Sequence, residues 1–127
     1  MFLMLTMQNI RSIATSFPDT DEHRHLNPTE MELLSFRVNK KVFATLNMPM
    51  KRCTLKFDKE YQDIFSTLGK GKIYPVPNAW GKYGWTTIEL RDIKKEFFKD
   101  ALLIAWRLTA PKKYEKLYPE WYKDQEE

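Results

Sequence analysis

The sequence predicts a single α+β domain in which an antiparallel sheet carries helices packed largely on one side, in the order α-β-β-β-α-β-α. Three consecutive segments between residues 32 and 57 alternate apolar and polar residues with the period of a half-buried strand. Segments before and after them repeat apolar residues with helical spacing. A chain of 127 residues with 43% hydrophobic composition provides enough apolar material for one core. We therefore assign residues 1–118 to one domain and residues 119–127 to an acidic, frayed tail.

The N-terminal segment predicts a helix over residues 4–14, which ends before Pro18 because a proline disfavours helical geometry in the residue preceding it. Its apolar positions are Met4, Met7, Ile10, Ile13 and Ala14. The first seven residues lack the basic start of a signal peptide, so we interpret them as part of this helix. Residues 20–28 are polar and predict an exposed connection.

The central segment predicts a three-stranded antiparallel meander. Its strands cover residues 34–38, 42–46 and 52–57, and the turns between them fall at residues 39–41 and 47–49. The first strand turns Leu34, Phe36 and Val38 to one face, and the third does so with Cys53, Leu55 and Phe57.

The second half of the chain predicts two further helices and a strand. Asp58 caps a helix over residues 59–68, and Gly69 stops it in the left-handed conformation. The buried stripe of that helix is Tyr61, Ile64, Phe65 and Leu68. Asp92 caps a last long helix over residues 93–109, which buries Phe97, Ala101, Ile104, Ala105 and Leu108.

Between these helices the sequence predicts an extended segment, a loop and a strand. Residues 73–76 belong at a sheet edge because Pro75 cannot donate a ladder hydrogen bond. Residues 78–84 form a loop, since two glycines break regular structure there, and residues 85–90 form a strand. In this loop we expect Tyr83 to be exposed and Trp85 to be structural.

Catalysis and metal binding find no support in the sequence. His23 and His25 lie near carboxylates, but a set of three ligands cannot be identified, so we interpret them as surface histidines. Cys53 alternates with core positions and is expected to be an inert thiol. We expect no enzyme activity and no cofactor. No apolar run is long enough to cross a bilayer, and a cytoplasmic monomer without membrane contact is the expectation.

Charge is distributed unevenly along the chain. Residues 37–116 contain 18 basic and 8 acidic side chains, whereas the segments on either side are net acidic. A basic middle region is typical of a surface that attracts phosphates, although lysines that keep a strand-rich surface soluble give the same pattern.

Three sequence blocks stand out: FRVNKKVFATL at residues 36–46, PNAWGKYGWT at residues 77–86, and AWR at residues 105–107 followed by APKK at residues 110–113. In content, order and spacing these blocks resemble the MmcQ/YjbR-like family. The resemblance implies a fold similar to frataxin-like domains and a role in DNA binding. Frataxin-type iron handling relies on an acidic first helix, and residues 2–16 contain no Asp or Glu, which argues against it here.

Together the basic turns and the resemblance predict a non-enzymatic domain that contacts the phosphates of DNA, with a duplex as the expected form. The predicted contact residues are Arg37, Lys40, Lys41, Lys51, Arg52, Lys82, Tyr83, Lys112 and Lys113. The alternative is a protein-interaction adaptor that uses the aromatic loop of residues 80–85 and the exposed tail around Trp121 and Tyr122. A small-ligand pocket beside Trp80 is a third possibility. Arg107 is expected to reach a backbone carbonyl or carboxylate near the loop, or a ligand anion.

Overall fold

The structure, a computed structural model, describes residues 5–26 and 32–123. It is an α+β domain built on a six-stranded antiparallel sheet in the order β1-β2-β3-β4-β6-β5, which confirms the predicted fold class. The strands are β1 Thr20–Leu26, β2 Glu32–Val38, β3 Lys41–Asn47, β4 Arg52–Lys56, β5 Ile73–Pro75 and β6 Trp85–Glu89. The helices are α1 Met7–Thr15, α2 Lys59–Leu68, α3 Ala79–Lys82, α4 Lys95–Thr109 and α5 Tyr114–Leu117, and a 3-10 turn follows at Pro119–Trp121.

The core lies between one face of the sheet and helices α1, α2 and α4. Strand residues of alternating position face it, as the sequence predicted, including Leu34, Phe36, Cys53 and Leu55. At the centre of the opposite face lie the short hydroxyl side chains of Ser35, Thr45, Thr54 and Thr87, and the short α3 stands beside this face. None of the described helices has the length and apolar character needed to cross a membrane.

Strand β1 occupies residues for which the sequence predicted an exposed polar connection over residues 20–28, so that prediction is wrong for residues 20–26. Residues 27 and 28 lie outside the described ranges. An edge strand can be polar because one of its sides has no neighbouring strand. Ion pairs tie β1 to its neighbours: Arg37 Nε donates to Asp21 Oδ1 at 2.9 Å, and Arg11 Nε donates to Glu22 Oε1 at 3.0 Å. The hydrogen bond from Arg11 lowers the pKa of the Glu22 carboxyl. Apolar periodicity could not reveal a strand held in this way.

Helices α1, α2 and α4 occur where the sequence predicted helices, but their ends and buried faces differ. Helix α1 begins after Thr6, whose side chain accepts from the Asn9 backbone N–H, and Met4 lies outside the described residues. In α2 the buried residues are Gln62 and Phe65, whereas Ile64 and Leu68 of the predicted stripe are exposed. In α4 the buried residues are Phe98, Ala101, Leu102, Ala105 and Trp106, so the predicted face was rotated by about one position.

One predicted helix cap is wrong, and another has a different conformation from the one predicted. Gly69 ends α2 as predicted, but its φ of −79° is right-handed, and the left-handed residues are the following Lys70 and Gly71. Gly69 is nevertheless constrained, since a Cβ there would lie 2.6 Å from the Ile73 side chain. Asp92 has a φ of 63° and lies outside α4, which begins after Lys94 without a side-chain cap.

The loop and the tail also contain more structure than predicted. The segment over residues 78–84 includes the single turn of α3, where the Asn78 side chain accepts from the Trp80 backbone N–H at 2.8 Å. After residue 118 the chain packs back on the core, because the Trp121 ring lies 5.6 Å from that of Phe17. Arg107 Nε donates to the Trp121 carbonyl at 2.7 Å, so the predicted backbone contact exists but joins α4 to this segment. Residues 124–127 of the predicted tail lie outside the described ranges.

Candidate functional site

The two basic hairpin turns lie at opposite ends of the sheet. Strand β3 connects them, and its seven residues separate the turn at residues 39–40 from the turn at residues 48–51 by about 20 Å. We call the end with the first turn the proximal end and the other the distal end. A meander places consecutive turns at alternate ends, so the sequence already contained this information.

Four lysines line one cleft of about 480 Å³ at the proximal end, which we call the lysine cleft. It is bounded by Lys41, Val42, Lys56, Phe57, Asp58, Lys59, Lys82, Tyr83, Leu108 and Thr109. Asp58 is its one acidic lining residue, and its carboxylate accepts from the Tyr61 backbone N–H at 2.8 Å as the cap of α2. Lys59 lies 3.5 Å from Asp63 in an exposed pair that contributes little. The cleft is therefore strongly cationic.

Lys56 and Lys59 were not among the predicted contact residues. Lys56 ends β4 on the open face of the sheet, and Lys59 begins α2 directly after the cap. Because β4 runs back from the distal turn, its last residue arrives beside the β2–β3 turn. The alternation of the strand, combined with the meander order, was the signal that could have identified Lys56.

A close backbone approach at Gly84 shapes one wall of the lysine cleft. Gly84 has a φ of 100°, and a Cβ at this position would lie 1.7 Å from the Phe57 carbonyl oxygen. The Phe57 N–H donates to the Gly84 carbonyl at 3.0 Å, and Lys56 Nζ donates to the Tyr83 carbonyl at 2.7 Å. These contacts hold the end of α3 and Tyr83 against the end of β4.

The buried side chain of Gln62 fixes the same segment from the α2 side. It is only 1% exposed, and its Nε2 lies 3.0 Å from the Gly81 carbonyl, 3.3 Å from the Trp85 carbonyl and 3.1 Å from Thr86 Oγ1. A buried amide with three oxygen neighbours joins α2, α3 and β6 into one unit. Its burial was not predicted, because a glutamine on an amphipathic helix usually lies on the solvated face.

An apolar cleft of about 400 Å³ adjoins the lysine cleft on the open face of the sheet, and we call it the tryptophan cleft. Its lining residues are Ser35, Val42, Thr45, Thr54, Val76, Trp80 and Trp85. The rings of Trp80 and Trp85 lie 6.4 Å apart at an interplanar angle of 74°. Trp80 is 61% exposed and Tyr83 is 70% exposed, whereas Trp85 is half-buried, as the sequence predicted for Tyr83 and Trp85.

Of the predicted contact residues, Lys41, Lys82 and Tyr83 meet in the lysine cleft. Lys40 occupies the neighbouring turn and is exposed. Lys112 and Lys113 are exposed and directly precede Tyr114, whose hydroxyl contacts the Asp19 carboxylate near that turn. This hydrogen bond is the largest factor that raises the pKa of Tyr114 to about 12.

Three predicted residues do not join this group. Arg37 lies at the proximal end but is engaged bidentately by Asp21, and this contact raises the pKa of the guanidinium. Lys51 and Arg52 lie at the distal end, where Arg52 Nε donates to Glu89 Oε2 at 3.0 Å. The Tyr74 hydroxyl shares that Glu89 carboxylate, and this hydrogen bond raises the pKa of Tyr74.

The residues considered for catalysis and metal binding remain apart. Cys53 is fully buried, which confirms its predicted core position, and burial raises the pKa of its thiol to about 12. His23 is exposed on β1, and the side chain of His25 lies outside the described part of the structure. Within residues 5–26 and 32–123, no three His, Cys, Asp or Glu side chains are grouped as metal ligands.

Comparison with known proteins identifies the family and the fold. The family model described as YjbR matches residues 15–108. A crystal structure of the Deinococcus radiodurans protein DR2400, which carries a DUF419 domain, superposes with a TM-score of 0.71 at 22% sequence identity. That alignment covers 98% of this chain and 93% of the Deinococcus chain, and at this identity it supports the fold alone. No curated protein sequence matches the chain significantly.

Proposed function

The chain belongs to the YjbR family, and on that premise we propose that it is a non-enzymatic domain that binds DNA through phosphate contacts at the proximal end of its sheet. The main observation behind the proposal is the lysine cleft, where four lysines surround Asp58, whose carboxylate caps α2. Clustered lysines that outnumber the carboxylates around them attract phosphates and release condensed counterions when these bind. This mechanism gives strong dependence on salt and little dependence on base sequence.

The location of the unpaired cations supports the proximal end as the contact surface. Within the described ranges, Lys40, Lys41 and Lys82 form no ion pair, whereas Arg37 and Arg52 each hold a carboxylate. An arginine in a bidentate pair must give up that partner before it contacts a phosphate. We therefore assign the phosphate contacts to lysines of the proximal end, and we leave the distal turn out of the interface.

The test is a titration of a short labelled DNA duplex with purified protein over about 50 to 200 mM salt, followed by anisotropy. Contact with roughly five phosphates gives a log–log salt slope of about −4 to −5. The double variant Lys41→Gln, Lys82→Gln should reduce the magnitude of this slope by about 2, because each lost phosphate contact removes about 0.9.

The matched control is Lys94→Gln, Lys95→Gln, which removes the same charge at the distal end. Both lysines are exposed, and we expect this variant to leave the slope unchanged. If both double variants lose the same amount of salt slope, DNA binding depends on the net charge of the protein alone. That result would contradict a localised site. Absence of duplex and single-strand binding at the lowest salt would remove the DNA proposal.

A protein-interaction adaptor is the second candidate, favoured by the exposure of Trp80 and Tyr83. Its other predicted contacts, Trp121 and Tyr122, are half-buried and pack on Trp106, so only the aromatic segment remains for a partner. An adaptor would keep its partner when Lys41 and Lys82 are neutralised and lose it when Trp80 is replaced. DNA binding predicts sensitivity to both lysines.

A further inference from the structure

The open face of the sheet carries a row of short side chains beside two tryptophan rings. Ser35, Thr45, Thr54 and Thr87 are successive cross-strand partners, and they form a row of short hydroxyl side chains across β2, β3, β4 and β6. On the side of this row that faces the proximal end, Trp80 and Trp85 line the tryptophan cleft. The two rings stand nearly perpendicular, so a planar group stacked on one of them presents its edge to the other.

The tryptophan cleft and the lysine cleft are adjoining parts of one surface. Val42 lines both of them, and Lys56 in the lysine cleft is the direct cross-strand partner of Trp85 in the tryptophan cleft. A ligand that spans the two clefts therefore needs a flat apolar group and, beside it, a negative charge. The nucleotide unit of a nucleic acid has both, since its base is planar and its phosphate is anionic.

We propose that the tryptophan cleft takes an unpaired base and that the protein binds single-stranded DNA in preference to duplex. This inference rests on the proposed function, because the lysine cleft supplies the phosphate contacts on either side of the base. In an undistorted duplex the base faces are covered by their stacked neighbours, so a base exposes a face for stacking where the strand is unpaired. The exposed ring of Trp80 provides the stacking surface, and the neighbouring hydroxyl groups provide polar contacts to the base edge.

Binding titrations with a labelled oligothymidine strand and a duplex of similar length test the inference. We expect the wild-type protein to bind the single strand about tenfold more tightly than the duplex at the same salt. Trp80→Ala should weaken single-strand binding about tenfold and leave duplex binding unchanged, because stacking is lost but the lysines remain. Trp80→Phe should restore most of the loss, and quenching of tryptophan fluorescence should accompany binding of the single strand.

Two controls separate stacking from other effects. Leu68→Ala removes an exposed apolar side chain at the distal end and should change neither affinity. A strand of abasic sites keeps the phosphates but lacks bases, and wild-type protein should bind it as weakly as Trp80→Ala binds oligothymidine.

The outcomes distinguish this inference from the function on which it rests. If the wild-type protein binds the single strand and the duplex equally tightly, and Trp80→Ala changes neither affinity, base stacking is overturned. Phosphate binding would remain intact. A parallel loss on both DNA forms in Trp80→Ala would overturn base stacking as well. No binding to either form would overturn the proposed function itself.

Discussion

The two ends of the sheet carry similar numbers of lysines around clefts of similar size, yet their charges are arranged differently. At the proximal end the only carboxylate lining the cleft accepts from a helix backbone. The distal cleft is lined by Lys70, Lys72 and Lys94 together with Asp92, whose carboxylate lies 3.5 Å from Lys72 Nζ. Arg52 at that end is held by Glu89. The proximal end also adjoins the exposed ring of Trp80, and the distal cleft has no such neighbour among its described lining residues.

We infer from this difference that the partners of basic residues, and not their number, indicate a phosphate-binding surface. The sequence showed a basic region over residues 37–116 without separating its two ends. A cation that already neutralises a carboxylate adds little field beyond that pair, whereas neighbouring unpaired cations reinforce one another. Three variants test the distinction between the proximal and distal ends of the sheet.

The largest effect is expected from the glycine that shapes the proximal cleft. Gly84→Ala brings a Cβ to 1.7 Å from the Phe57 carbonyl oxygen, so backbone must move and the free energy of unfolding should fall by about 3 kcal/mol or more. Gly71→Ala at the distal end is the control, since Gly71 has a φ of 93° with open space around it and should cost only about 1 kcal/mol. Urea unfolding measures both, and equal losses would show that the contact with Phe57 does not constrain the chain.

An intermediate effect is expected at Gln62. Gln62→Leu keeps a similar volume but removes the side-chain donor to the Gly81 and Trp85 carbonyls, which then keep the backbone N–H groups of Gly84 and Val76, so the free energy of unfolding should fall by about 1 to 2 kcal/mol. The matched control is Gln8→Leu on the exposed side of α1, where a change within about 0.5 kcal/mol is expected. Single-strand binding of Gln62→Leu should also weaken, because the segment with Trp80 loses its support. A variant as stable as the control would contradict the role of Gln62 as a brace.

The smallest effect is expected at the distal arginine. Arg52→Gln removes one partner of a pair that is partly exposed, so the free energy of unfolding should fall by no more than about 1 kcal/mol. Duplex affinity should stay within about twofold of wild type, because the guanidinium is engaged by Glu89 and lies away from the lysine cleft. A loss of affinity as large as that of Lys41→Gln would bring the distal turn into the interface and remove the distinction between the ends.

The sequence was informative where one side of an element is apolar and the other is solvated. Strands β2, β3 and β4 and the cap of α2 at Asp58 occur as predicted, since alternation and capping are local signals. Strand β1 was missed because its residues are polar, and the backbone pairing with β2 and the ion pairs with Arg11 and Arg37 that hold it leave no local pattern. The buried faces of α2 and α4 were misassigned where tertiary packing placed Gln62 and Trp106 inside.

Much of the candidate site was likewise present in the sequence, although its assembly was not. Lys41, Lys82 and Tyr83 were singled out from two separate segments, and the structure places them around one cleft. Lys56 and Lys59 were overlooked because a lysine at a strand end and one at a helix start are ordinary surface residues. These two lysines come to line one cleft because β4 runs back toward the proximal end, where α2 begins.

The edges of the sheet bear on how copies of the chain behave at high concentration. Strand β1 presents a polar run along one edge, TDEHR over residues 20–24, in which Asp21, Glu22 and Arg24 are charged. The opposite edge, β5, is only three residues long and ends in Pro75, which has no N–H to offer a neighbouring strand. Charge and proline are two features by which natural sheets discourage a further strand from adding. We therefore expect crowded molecules to remain dispersed instead of polymerising edge to edge into fibrils.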